Sequence, residues 1–216
     1  MRPSKVALYV ALMTTLAAAA FLVAHRPVST DNIATAQTMA VPLPSDGVRL
    51  TYPAKNAPTF RLPDGEKRTI LSVLNVREKM GFGDFSWNED GVPAGDVWIR
   101  VDMAHQLLSV FRAGHEIGTS VIIYGADIKE TPSGVFPVLQ KAKDYHSRTY
   151  DAPMPFMLRL TADGVAIHGS DVVKGAATHG CVGVPREFAE RLFAQVKLGD
   201  PVAILSATSP ATPPKS

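Results

Sequence analysis

Residues 96–124 constrain this chain more than any other stretch. In 96–102 (DVWIRVD), Val97, Ile99 and Val101 alternate with Trp98, Arg100 and Asp102. That two-residue period is the pattern of a strand with one buried face. Residues 106–112 (QLLSVFR) read as its hairpin partner, Ala113-Gly114 as the next turn, and 116–124 (EIGTSVIIY) as a third strand. The 16 glycines and 17 prolines in 216 residues supply the frequent turns that short strands need and a helical bundle does not.

The same pattern continues to the end of the chain. Thr131-Pro132-Ser133-Gly134 is a turn into a strand over 135–140, and Ala162-Asp163-Gly164 joins strands at 156–160 and 165–168. From about Pro185 the period changes. Phe188, Ala189, Leu192, Phe193 and Val196 share one helical face, with Pro185 in the first turn. Residues 201–205 (PVAIL) form a last strand. Residues 69–80 fit either a short helix, with Ile70, Val73, Leu74 and Arg77 on one side, or a strand across SVLNV; 81–95 are rich in turns. The predicted fold is mainly β, with mixed sheets over 61–206 and one or two short helices near the only cysteine.

The two ends read differently. Arg2 and Lys5 precede an uncharged run of 19 residues, 6–24, followed by His25 and Arg26. Positive residues before an apolar run mark an export signal, and this run is close to the ~20 residues that span a bilayer. Residues 1–36 are therefore expected to be a signal peptide, with Ala34-Thr35-Ala36 as an A-x-A site, or a retained anchor that contacts the membrane. Residues 37–60, with four prolines, read as a linker, and 207–216 as a flexible tail. Beyond residue 36 the charges balance, and no basic stripe is present to neutralise phosphates, which excludes a nucleic-acid partner. A single cysteine allows neither an internal disulfide nor a four-cysteine zinc framework.

The chemistry concentrates in 167–185, IHGSDVVKGAATHGCVGVP. An unpaired thiol in an exported protein is either a buried, inert side chain or a reactive one. Cys181 follows His179 and Gly180, and glycine lets the backbone bend before a nucleophile. A helix expected about four residues later would favour thiolate through its positive end. A cysteine nucleophile needs a base that works near neutral pH, and His168, at the end of a strand, and His179, in the loop, are the candidates. A metal site built from His168, His179 and Cys181, with Asp171 the nearest carboxylate, is a rival. A serine triad lacks its G-x-S-x-G elbow.

The ordered blocks VWIRVDMAHQLLSVFRAG, TPSGVFPVLQK, DAPMPFMLRL, HG-x(8)-THGCVGVP and LGDPVAI resemble the catalytic domain of the L,D-transpeptidases, the YkuD-type enzymes of bacterial cell-wall metabolism, over residues 96–205. The resemblance implies a β-sandwich-like domain, with Cys181 as nucleophile and His168 as general base oriented by the Gly169 carbonyl. It implies that His179, Gly180 and Thr178 shape the turn whose backbone N–H groups form an oxyanion hole. The implied substrate is a peptidoglycan stem tetrapeptide, cut between meso-diaminopimelate and D-Ala. The acceptor is a second stem, a protein lysine such as that of a lipoprotein, a D-amino acid or water. No cofactor or metal is implied, and the place is the periplasm or cell envelope.

Two positions depart from the family. Thr178 stands where Ser is common, and Gly183 where Arg or Asn is frequent. Arg186 and Lys174 are candidate replacements for a cation at 183. Tyr145 and Tyr150 are expected to pack on a stem peptide, and Arg148 to pair with its carboxylates. An L,D-carboxypeptidase and a non-catalytic cell-wall binding module are the competing functions.

Overall fold

The alternation at 96–102 becomes the strand Val97–Asp102 in a computed structural model that describes residues 43–44, 48–125 and 129–207. The expected targeting segment at 1–36, and the tail from residue 208 on, lie outside the described residues. Val97–Asp102 pairs antiparallel with Leu107–Arg112, which pairs in turn with His115–Val121. Pro201–Leu205 joins Val97–Asp102 in parallel and receives Gly134–Pro137 on its far side. At the other edge Ser72–Leu74 and Phe85–Trp87 pair with His115–Val121, and Arg49–Thr51 and Leu43–Pro44 follow outward.

A second sheet holds, in order, Ile123–Tyr124, Val182–Val184, Ala166–Gly169, Met157–Arg159 and Gln140–Ala142. Its Ala166–Gly169 and Val182–Val184 strands run parallel, and the other pairs antiparallel. The core lies between the sheets, where Val97, Ile99 and Val101 share a cluster with Leu158, Ile167, Val182 and Val184. The helix Arg186–Gln195 adds Phe188, Ala189 and Leu192 to that cluster. Phe188 meets Phe85 and Trp87 edge-on at 5.7 and 5.4 Å. Burying a side chain of this size is worth ~1.5–3 kcal/mol. Gly118 is required here: a Cβ on it would lie 2.3 Å from Trp87.

Some expectations change, and the alternative left open at 69–80 resolves as a strand. The second face of Val97–Asp102 is also covered: Trp98 is 4% exposed and stacks on Phe111 at 4.3 Å and on Phe60 at 6.1 Å. Phe60 belongs to the hairpin of Thr59–Arg61 and Lys67–Thr69, an element too short for its pattern to show. The ambiguous stretch 69–80 supplies the strand Ser72–Leu74, and the turn-rich 81–95 contains Phe85–Trp87. Within 37–60, read as linker, Arg49–Thr51 and Thr59–Arg61 are strands. Arg49 is buried there and donates to the backbone carbonyls of Glu116 and Asn88, which ties this stretch to the domain.

Candidate active site

The register of the second sheet brings the chemistry together. His168 stands opposite Gly183 in the parallel pair, and Cys181 directly precedes Val182, the partner of Ile167. Side chains alternate across a sheet. Ile167 and Val182 therefore enter the core, while His168 and Cys181 project from the other face. Cys181 packs there against Met154, Met157 and Ala166. The short hairpin His146–Ser147 and Ala152–Pro153 lies over this face, and its Ser147 and Tyr150 line a cavity of about 150 Å³ with His168 and Cys181.

His168 is 9% exposed, and its Nδ1 lies 2.9 Å from the Gly169 carbonyl oxygen. A carbonyl can only accept, so Nδ1 carries the hydrogen and Nε2 is left as the proton acceptor. Burial holds the ring below the usual histidine range, against the opposing pull of that carbonyl contact. His168 is thus neutral at physiological pH, as a base must be. Cys181 is unpaired and half-buried. Burial pushes its thiol up; the Ala166 backbone N–H and the Lys129 charge pull it down, and Asp163 raises it. The resting pair is a neutral thiol and a neutral imidazole.

The helix does not reach the sulfur. Val182–Val184 separates Cys181 from Arg186, where the helix starts after Pro185. Three extended residues span ~10 Å, and the macrodipole acts only within about a turn. The expected thiolate-favouring effect of the helix is absent for that reason.

The turn before Cys181 is held by one side chain distant in sequence, Thr131, and one close by, Thr178. Gly180 has φ +99°, the left-handed region that glycine tolerates. The Thr131 hydroxyl donates to the Gly180 carbonyl and accepts from the Gly125 N–H, each at 3.0 Å. Thr178 donates its hydroxyl to the Cys181 carbonyl and its N–H to the Tyr124 carbonyl. A Cβ on Gly125 would fall 2.3 Å from the Gly180 nitrogen, so only glycine lets these backbones meet.

The other sequence candidates divide. His179 is exposed and stacks on Tyr150 at 4.6 Å. Tyr145 and Tyr150 line a second cavity of about 140 Å³ that also touches Cys181. Arg148 lines neither cavity, and Arg186 sits over the Phe156 ring at 5.6 Å. Lys174 lines a separate groove of about 720 Å³, over the strands Leu107–Arg112 and His115–Val121 of the larger sheet, that contains neither His168 nor Cys181. Asp171 is exposed, and among the described residues no three His, Cys, Asp or Glu side chains are placed to hold a metal ion. Sequence reading missed Lys129, Arg159, Thr131 and Gly125. For Arg159 the signal was present: in MLRL it alternates with Met157 on one face.

Comparison with known proteins gives a family. The profile of the L,D-transpeptidase catalytic domain, YkuD, matches residues 96–204, just over half the chain. The chain belongs to the YkuD family. Three solved L,D-transpeptidases are similar to it. One from Stackebrandtia nassauensis is 21% identical, over 54% of this chain and 60% of that one, with a TM-score of 0.48. A mutant from Enterococcus faecium is 27% identical, over 52% and 50%, with a TM-score of 0.47. One from Mycobacterium tuberculosis H37Rv is 22% identical, over 51% and 57%, with a TM-score of 0.47. The likeness thus spans half to three fifths of those chains. No curated protein matches.

Within the YkuD family the departure at 183 has a steric basis. A Cβ on Gly183 would lie 2.7 Å from Ile123 Cγ1 and 3.0 Å from Ser170 Cβ. Ile123 fills the space that a longer side chain would need. Thr178 keeps the hydroxyl of the more common serine and uses it on the Cys181 carbonyl.

Proposed function

We propose that the chain is a peptidoglycan L,D-transpeptidase acting through Cys181 and His168. The observation that carries this is the shared cavity: a neutral, oriented imidazole and an unpaired thiol line the same 150 Å³ space. His168 Nε2 takes the thiol proton as Cys181 Sγ attacks the carbonyl of meso-diaminopimelate in a stem tetrapeptide. Backbone N–H groups of the turn at 179–181 hold the oxyanion, the Thr178 N–H being taken by the Tyr124 carbonyl. The C–N bond breaks, His168 returns the proton to the departing D-Ala amine, and a thioester remains on Cys181. An acceptor amine then attacks the thioester and gives its proton to His168. The C–S bond breaks, and the sulfur recovers that proton. The substrate lies outside the cytoplasm, and the charged and apolar run at 1–26 supports export.

The test is release of D-Ala from purified tetrapeptide muropeptides, followed by mass spectrometry. Cys181→Ala loses all turnover; turnover that persists in it removes the cysteine from the reaction. Product masses separate a cross-linked dimer from the tripeptide of an L,D-carboxypeptidase. A carbapenem adduct on Cys181 is expected, and an unmodified thiol would favour a binding module.

A further inference from the structure

The 140 Å³ cavity that adjoins the first at Cys181 is lined by Lys129, Arg159 and Asp163, among others. Lys129 and Asp163 neutralise each other, Nζ to Oδ2 at 2.8 Å. Arg159 is left over. Among the described residues its side chain has no ion pair or hydrogen bond, and its Nε is buried without a partner. Arg68 and Arg100 also have a buried, unpartnered Nε, but each pairs through another nitrogen, with Glu66 and Asp102. That Nε is a buried donor that a bound anion would satisfy.

The register gives its position. Arg159 pairs with Ala166, whose N–H reaches the Cys181 sulfur. Arg159, Ala166 and Cys181 therefore form one row across the sheet, on the face away from the core. At ~4.8 Å per strand the outer two lie about 10 Å apart, a gap that the arginine side chain and one substrate residue together fill. The rigid fork of a guanidinium matches a carboxylate through two parallel hydrogen bonds. The adjacent strand offers no cation, since Gly183 has no room for a side chain.

We propose that Arg159 is the carboxylate receptor of this site, pairing with a stem-peptide carboxylate next to the scissile bond. The proposal rests on the transpeptidase reading above. Two carboxylates have this chemistry: the terminal one of the departing D-Ala, and the one at the end of the diaminopimelate side chain.

Kinetics with the full chain and three tetrapeptides decide between them: unmodified, amidated at the C-terminus, and amidated on the diaminopimelate side chain. On the unmodified peptide Arg159→Gln raises KM by about 10–100-fold with little change in kcat, and Arg159→Lys recovers part of the loss. On one amidated peptide the wild type shows the raised KM and the mutation adds nothing; that peptide identifies the carboxylate. An unchanged KM in Arg159→Gln, or an undiminished mutational effect on both amidated peptides, overturns the assignment and leaves the transpeptidase reading standing. If Arg159→Gln melts below the assay temperature, the wild type decides alone: equal KM on all three peptides overturns the assignment, and a raised KM on one supports it. A wild type that releases nothing from any of the three overturns the transpeptidase reading, and this inference with it.

Discussion

In the proposed reaction a thiol kept protonated by burial reacts only as fast as its proton can leave, so the pH dependence should follow His168. Burial disfavours the imidazolium, so protonation of His168 takes more acid than usual. We expect kcat/KM to rise with pH on an acid limb whose midpoint lies below the ordinary histidine value of about 6.5; a midpoint above it contradicts the assignment. The thiol shift has the opposite sign. Alkylation of Cys181 by iodoacetamide should keep accelerating above pH ~8.5, where an ordinary thiol levels off. Gly183→Ala should destabilise by ~1–3 kcal/mol, because the new Cβ meets Ile123. In an Ile123→Ala background the penalty should shrink, which a double-mutant cycle by denaturant melting measures.

At the scale of elements, the turn before Cys181 is held by Thr131 rather than by the helix that follows it. Thr131→Val removes the donor to Gly180 and the acceptor for Gly125. A fall in kcat of about 10–100-fold is expected, with the melting transition still cooperative. A wild-type kcat would show that the turn holds its shape without this contact. The strands Val97–Asp102 and Pro201–Leu205 and the helix face of Phe188 and Leu192 were legible in the sequence because their apolar residues repeat over five or more positions. Phe85–Trp87 and Thr59–Arg61 were not, because three residues are too few to show a period. The dipole expectation failed because a short strand, Val182–Val184, separates the cysteine from the helix. Pairing of His168 with Gly183 is a register, and register depends on contacts between strands that no local pattern reports.

For the whole molecule, the folded unit is larger than the stretch that marks the family. The family match begins at residue 96, yet Ser72–Leu74 and Phe85–Trp87 pair with His115–Val121, and Phe60 covers Trp98. A fragment of 48–207 should melt cooperatively near the temperature of the full chain. A fragment of 96–207 loses the edge strands and the aromatic partners of Phe188, and should fail to melt as one transition in calorimetry. Cooperative melting of the shorter piece would show that the amino-terminal strands are dispensable. Composition and alternation announced a β domain, but how far it extends depends on packing between residues distant in the chain.

The most direct measurement is the intact mass of the protein quenched in acid during turnover of a stem tetrapeptide. The account predicts a gain equal to the tripeptide acyl group, mapped to Cys181 and absent in Cys181→Ala. D-Ala release with no adduct, or an adduct on any other residue, would contradict it.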